Sequence, residues 1–275
     1  MLPPKKHQGD SSPIPRNSYD SAEKDLLLWE EAAEEYDRYI SAGNTLREEL
    51  LESETLELLG DVRGKKILDA GCGQGRFSAI LSSHGAAVTA IDGSQKLITA
   101  ANSRYLGDSN PAFSVHNLKK PLPYKDGEFD IVFSGMTLMD IDPLHETLAE
   151  FSRVLSPDGF LLFSILHPFI SSGAPKKTFA EKILLRRPHL ALSFYATEKK
   201  ISWRITGLRE RTALYHRPIS FYLNALKNSG FLVAEAGEPV LKKNSAGDGS
   251  RFSEFCREFP LFLILKAAKR WGWPR

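Results

Sequence analysis

Lys65-Lys66-Ile67-Leu68-Asp69-Ala70-Gly71-Cys72-Gly73-Gln74-Gly75-Arg76-Phe77 reads as an apolar strand ending in a carboxylate, then three glycines at alternate positions, then a helix start. Backbone without Cβ atoms can turn sharply there and press against a ligand. A helix over about 75–84 would aim its positive N-terminal end at the same place. A strand, a glycine loop and a helix in this order bind nucleotide-like groups, and the spacing discriminates among them. The dinucleotide fingerprint G-x-G-x-x-G requires a glycine where Arg76 stands. A P-loop requires Lys followed by Ser or Thr after the loop, and neither follows. Asp69 would face a pyrophosphate if one were bound, whereas a carboxylate there suits a ligand carrying positive charge.

The next segments repeat the pattern. Ala87-Val88-Thr89-Ala90-Ile91-Asp92 is a buried strand by its β-branched content, and it also ends in a carboxylate. Gly93 and Ser94 cap a helix predicted to reach about Leu106. A third strand over 111–116 leads to Asn117-Leu118 and the turn Pro121-Leu122-Pro123-Tyr124. Phe129–Ser134 is a fourth strand, a helix passes through 146–151, and Arg153–Phe160 turns into a fifth. Phe231–Glu235 and Leu261–Leu265 read as later strands.

Taken together, residues 60–167 and the chain from about 216 resemble the class I S-adenosylmethionine-dependent methyltransferases, in particular small-molecule enzymes of the ubiquinone and menaquinone type. Asp69 with Gly71, Gly73 and Gly75 is similar to that family's first motif. The resemblance implies a doubly wound, Rossmann-like α/β sheet of seven strands with the last antiparallel, plus N-terminal helices and a cap insertion. It implies S-adenosyl-L-methionine as cofactor, whose sulfonium and α-amino group suit Asp69. Asp92, with Gly93 beside it, would accept both ribose hydroxyls. Asn117 and Leu118 would meet the adenine; family members often carry Asp at the first of these, and an amide oxygen can accept the same bond. Ser134 would end strand four at the same edge. Asp158 stands in the turn to strand five where Gly is more usual. N-terminal helices close over the cofactor in similar enzymes, which makes Tyr36 and Arg47 candidates for the methionine carboxylate. Core packing of Tyr36 and a solvated Arg47 are the alternatives.

Methyl transfer is an in-line displacement, so the protein's main task is to align acceptor and methyl in a water-poor pocket. A hydroxyl acceptor also benefits from a general base. His167 lies just past strand five, at the carboxyl edge where open α/β sheets bind ligands, and is predicted as the catalytic base. A hydrogen-bonded structural histidine is the competing reading, and His216 and Tyr195 are secondary candidates. Cys72 reads as a small packing residue.

A chain of 275 residues with 42% hydrophobic and 25% charged residues suits one large α/β domain with insertions. The two cysteines, Cys72 and Cys256, make neither a disulfide framework nor a zinc site, so no metal is expected, and they fit a reducing cytoplasm. Residues 1–18 read as a disordered tail, 19–60 as an N-terminal helical lid, and 61–275 as the methyltransferase domain with a cap insertion at 168–217. Within the cap, 201–215 alternates like a hairpin. Residues 176–187 pattern as a basic amphipathic helix, which is either a solvated face or a lid. As a lid it would take a hydrophobic acceptor beside negative charge, with peripheral membrane or lipid contact as one form. The expected enzyme methylates a small, hydrophobic organic acceptor on oxygen or carbon. Alternatives are a protein or RNA methyltransferase and a non-catalytic S-adenosylmethionine-binding protein. A net charge of +2 gives no reason to expect nucleic acid. Ser134-Gly135-Met136-Thr137 also replaces the Asn/Asp-Pro-Pro-aromatic signature of nucleic-acid N-methylation. Oligomeric state is not legible.

Overall fold

Ile67 and Leu68 are neighbours in sequence, yet they belong to two different cores, because the strand that carries them is covered on both faces. The computed structural model describes residues 18–43, 48–105, 110–172, 192, 194–205, 208–242 and 251–269. In chain order its first half comprises α1 (Ser18–Ser41), a π-helical turn (Glu48–Glu52), α2 (Ser53–Leu59), β1 (Lys66–Ala70), α3 (Arg76–Ser83), β2 (Ala87–Asp92), α4 (Gln95–Arg104), β3 (Ala112–Val115) and β4 (Phe129–Gly135). There follow a 3-10 turn (Leu138–Asp140), α5 (Leu144–Val154), β5 (Leu155–Leu166), α6 (Pro168–Ser172), β6 (Lys199–Trp203) and β7 (Thr212–His216). The chain then forms α7 (Ile219–Asn228), β8 (Phe231–Gly237), α8 (Arg251–Glu258) and β9 (Phe262–Lys269).

One sheet has seven strands in the order β3-β2-β1-β4-β5-β9-β8. The first five run parallel, and the last strand of the chain, β9, is antiparallel to both neighbours. This is the doubly wound sheet expected from the sequence. The order reverses at β1, so the ends of β1, β2 and β4 border a crevice at the carboxyl edge. Leu68, Val132 and Phe163 pack against Leu148 and Phe151 of α5 and Leu226 of α7. Ile67, Ile131 and Leu162 pack on the other side against Leu58 and Leu59 of α2 and Leu81 of α3.

Local chemistry sets the helix ends that matter for the crevice. Ser94 caps α4 with its hydroxyl, which accepts from Leu97 N at 3.2 Å. That helix ends at Arg104, and 106–109 lie outside the described residues. Within the expected helical lid at 19–60, residues 48–59 form a π-helical turn followed by α2. The wider turn ends on Glu52, whose carboxylate takes the Arg76 guanidinium at 3.0 and 3.1 Å.

The cap's alternating segment forms a hairpin, β6 against β7, pairing Lys199 with His216 and Trp203 with Thr212. Helix α1 begins at Ser18 and lies over α4 and β7. The tail to residue 17, Arg47 and the basic segment 176–187 fall outside the described residues. Among the described residues no helix is long and apolar enough to cross a membrane.

Phe151 is fully buried where α5 meets the sheet. Phe151→Ala is expected to cost about 3–5 kcal/mol of stability by leaving a cavity. Chemical denaturation should show this as a lower midpoint with an unchanged slope.

Candidate active site

The three loop glycines all have positive φ: +86° at Gly71, +56° at Gly73 and +84° at Gly75. They meet different surroundings. A Cβ at Gly71 would collide with Thr137, and one at Gly75 would come within 2.6 Å of the Phe113 ring. At Gly73 the nearest atom would be Tyr36 Cε1, at 3.8 Å. The open side of Gly73 faces a cavity of about 110 Å³ at the carboxyl edge of the sheet. Gly71, Asp92, Gly93, Asn117, Leu118 and Tyr36 line that cavity too, as does the turn after β4. A smaller adjoining cavity of about 50 Å³ lies on the other side of the loop, against Asp69, Arg76 and Glu52. Gly75 lines neither; it is required by its backbone angle and by Phe113.

Asp92 holds the loop in place. Its carboxylate accepts from Gly73 N at 2.9 Å and from Ser94 N at 2.8 Å. Burial pushes its pKa up, opposed by those backbone hydrogen bonds. Asp69 is 1% exposed and accepts from the Ser78 hydroxyl at 2.5 Å. Burial raises its pKa to about 7, with a further push from the Asp92 charge. Neither carboxylate has a lysine or arginine partner among the described residues. Burial likewise pushes the Cys72 thiol well up, which leaves it unreactive at neutral pH.

Other predicted residues have different employment. Ser134 is fully buried and donates to Ala70 O at 2.7 Å, tying β4 to the end of β1 behind the cavity wall. Asn117 lines the cavity, but its amide oxygen already accepts from Lys119 N at 3.0 Å. Met136, also in the wall, is the one described non-glycine residue with positive φ, at 58°. A bulky side chain adopts that conformation only where its surroundings impose it.

His167 is not a base at this cavity. It is 0% exposed and lines neither cavity. Its Nδ1 accepts from Phe169 N at 3.2 Å, and its Nε2 lies 2.9 Å from Glu238 Oε1, which fixes the proton on Nε2. Both nitrogens are engaged, Nδ1 within its own turn and Nε2 with the segment after β8. His216 is engaged in the same way, between the Ser171 hydroxyl and Tyr195 O.

Residues not anticipated from the sequence also line the larger cavity: Asp25 and Trp29 from α1, Lys119 after β3, and Asp140 in the 3-10 turn. Asp25 accepts from Tyr215 Oη at 2.6 Å and pairs with Lys200 Nζ at 2.6 Å. Arg217, 2% exposed, donates to Ile141 O at 2.9 Å and Asp142 Oδ1 at 2.7 Å, pinning the turn that carries Asp140. Arg211 donates to Ser202, and Glu35 accepts from Arg209 N at 2.8 Å. Arg217 is thus turned inward, whereas Lys199, Arg204, Arg209 and Arg211 of the hairpin are exposed. Such contacts join residues far apart in the chain, and only a buried charge with no neighbour of opposite sign in sequence could have hinted at them. Among the described residues no cluster of three or more His, Cys, Asp or Glu is placed to hold a metal ion.

The glycines are separable by experiment. Gly75→Ala is expected to destabilise the chain by about 1–3 kcal/mol from backbone strain, with the Phe113 collision added. Gly73→Ala should carry a backbone cost of only about 1 kcal/mol and instead fill the cavity floor. Thermal unfolding together with cofactor calorimetry distinguishes a folding defect from a binding defect.

Residues 68–163 match the family described as "Methyltransferase domain". A malonyl-[acyl-carrier protein] O-methyltransferase of Erwinia billingiae is 33% identical over 135 residues, covering 49% of this chain and 50% of that protein. A demethylmenaquinone methyltransferase of Clavibacter sepedonicus is 33% identical over 135 residues, covering 48% and 54%. The aligned part thus spans about half the length of each of these relatives. The solved structure of an S-adenosylmethionine dependent methyltransferase from Mesorhizobium loti superposes with a TM-score of 0.67 at 25% identity, covering 79% of this chain and 96% of that one. With the sheet order and the glycine loop, these likenesses assign residues 68–163 as a methyltransferase domain, set in the fold of the class I S-adenosylmethionine-dependent methyltransferase superfamily.

Proposed function

We propose that this chain transfers the methyl group of S-adenosyl-L-methionine to a small, largely apolar organic acceptor, on oxygen or carbon. One observation carries the reading: Gly73 presents its open side to the cavity directly beside the half-buried Asp92 carboxylate. A ligand can lie against that backbone, and each Asp92 oxygen keeps a lone pair for a ribose hydroxyl. Asn117 and Leu118 sit where the adenine would rest. Asp69 supplies negative charge in the adjoining cavity, and Tyr36 closes both cavities from above. When bound, the cofactor supplies a methyl group on a positively charged sulfur. The two named relatives point to acyl and quinone acceptors. The apolar wall of Leu26, Trp29, Leu118 and Ile141 supports an acceptor of that greasy character.

Calorimetry with the cofactor, its demethylated product and NAD tests the reading; NAD binding with no affinity for the first two would overturn it. Asp92→Ala is expected to weaken cofactor binding by about 1.5–3 kcal/mol, the scale of hydrogen bonds to a charged group, with the fold retained. Normal binding by that variant would leave Asp92 as a loop tie only.

The Asp69 shift predicts a pH dependence. Below its pKa of about 7 the carboxyl is protonated and offers a cationic ligand little attraction. Affinity for the cofactor should therefore rise between about pH 6 and 8 and level off above, at most about tenfold per unit for a single proton. Asp69→Asn should bind weakly throughout and show no slope. In the free protein the sign is opposite for stability. The folded chain keeps a proton that the unfolded chain loses near 3.8, so stability declines from about pH 4 to 7 on this account.

A further inference from the structure

Three atoms of residues lining the larger cavity are buried without a hydrogen-bond partner: Oδ1 of Asp25, Oδ1 of Asp140 and Nζ of Lys119. The first has the Lys200 ammonium 2.6 Å away, which leaves the other two unmet. Asp140 is 9% exposed, and the Lys119 side chain is 12% exposed. Such atoms are rare in folded proteins, because each forfeits its water without replacement. Neither is loosely held. The Trp29 indole donates to the Asp140 carboxyl, and Arg217 fixes the turn beneath it. Lys119 Nζ stands 4.0 Å from Asp25 Oδ2, an ion-pair distance too long for a hydrogen bond. The Asp25 charge acts on both groups.

One group left to be satisfied is an acceptor of hydrogen bonds and the other is a donor. A single hydroxyl answers both, since its proton can go to Asp140 while its oxygen receives from Lys119. A carboxylate would meet Lys119 but repel an ionised Asp140. An ammonium would do the reverse.

We propose that Asp140 and Lys119 form the acceptor subsite and that the acceptor presents a phenolic or enolic hydroxyl to them, Asp140 being the catalytic base. This rests on the methyl-transfer reading of the cavity. The acceptor's O–H bond breaks with its proton passing to Asp140 Oδ1. The resulting oxyanion, held by the Lys119 ammonium, forms the new O–CH3 bond, and the electron pair of the broken S–CH3 bond stays on sulfur. Burial pushes the Asp140 carboxyl well above its ordinary range, which brings it closer to a hydroxyl's acidity and suits it to take that proton. The base expected at His167 is thus supplied from the turn after β4. Arg217 is a positioning residue for it.

The test uses the full chain loaded with S-adenosylhomocysteine, the demethylated cofactor. Four probes share one ring and differ in one group: 4-nitrophenol, 4-nitrotoluene, 4-nitrobenzoate and 4-nitroaniline. 4-Nitrophenol is expected to bind about tenfold or more tightly than 4-nitrotoluene, the scale of a pair of hydrogen bonds involving charged groups. Its ionised fraction, read from visible absorbance, should rise on binding. Lys119→Met and Asp140→Asn, both near-isosteric, should each remove the preference. Each should keep a cooperative thermal transition and bind S-adenosylhomocysteine within about threefold of the unaltered chain. Equal binding of 4-nitrotoluene overturns the subsite. So does a preference for the benzoate or aniline, failure of all four probes to bind, or a preference that survives in both variants. If the unaltered chain does not bind S-adenosylhomocysteine, the methyl-transfer reading falls and takes the subsite with it. Binding of S-adenosylhomocysteine without hydroxyl preference overturns the subsite alone.

Discussion

The carboxylate of Asp92 is the joint on which the site turns. Removing a negative charge from water costs several kcal/mol unless donors replace the lost solvent. Here the replacements are Gly73 N from the loop after β1 and Ser94 N from the head of α4. One side chain therefore settles two loops that come from different strands. Asp69 lies buried at the end of the adjacent strand, with a serine hydroxyl for company and no cation among the described residues. Two such groups side by side raise each other's proton affinity. The positive φ angles of the glycines and of Met136 are the backbone's accommodation to that crowded edge.

Above this edge, α1 is fastened mainly by polar contacts. Glu30 accepts from the Ser94 hydroxyl at 2.5 Å, and Asp37 takes Arg104 at 2.8 Å. Arg104 also reaches Gln74 Oε1 at 2.7 Å, so one guanidinium spans helix and glycine loop. At the other end of α1, Asp25 gathers Tyr215 and Lys200 of the hairpin. Through Lys200, Tyr215 and the Arg209 backbone the hairpin holds α1, while Lys199, Arg204, Arg209 and Arg211 keep exposed side chains.

How much of this the sequence discloses follows from the range of the contacts. Asp69, Gly71, Gly73 and Asp92 are legible because strand, carboxylate and glycines are neighbours along the chain, and their order repeats on successive βα units. The hairpin follows from local periodicity, and the seven-stranded sheet from the family resemblance. Gly75 shares the motif but not the cavity, since the ring of Phe113, 38 positions on, decides what its missing side chain is for. His167 looks like a base from its place after β5, yet its partner Glu238 lies 71 residues away. Asp25 and Tyr215 are 190 residues apart, so no spacing rule could have joined them. Lys119 and Asp140 carry no motif at all and are marked only by what they lack once folded.

Helix α1 supplies both Trp29 and Tyr36 to the wall of the larger cavity, and their rings meet edge to face with centroids 5.3 Å apart. Seven residues separate them, two turns along one helix face. Such a ring pair cannot settle against one guest without also setting the surface that the next one meets. Order imposed on it by the first arrival need not be imposed again by the second, so the two occupancies assist each other. Thermodynamic reciprocity makes that assistance the same factor whichever molecule arrives first. Cooperativity between two unlike ligands is thereby built into a single helix within one chain.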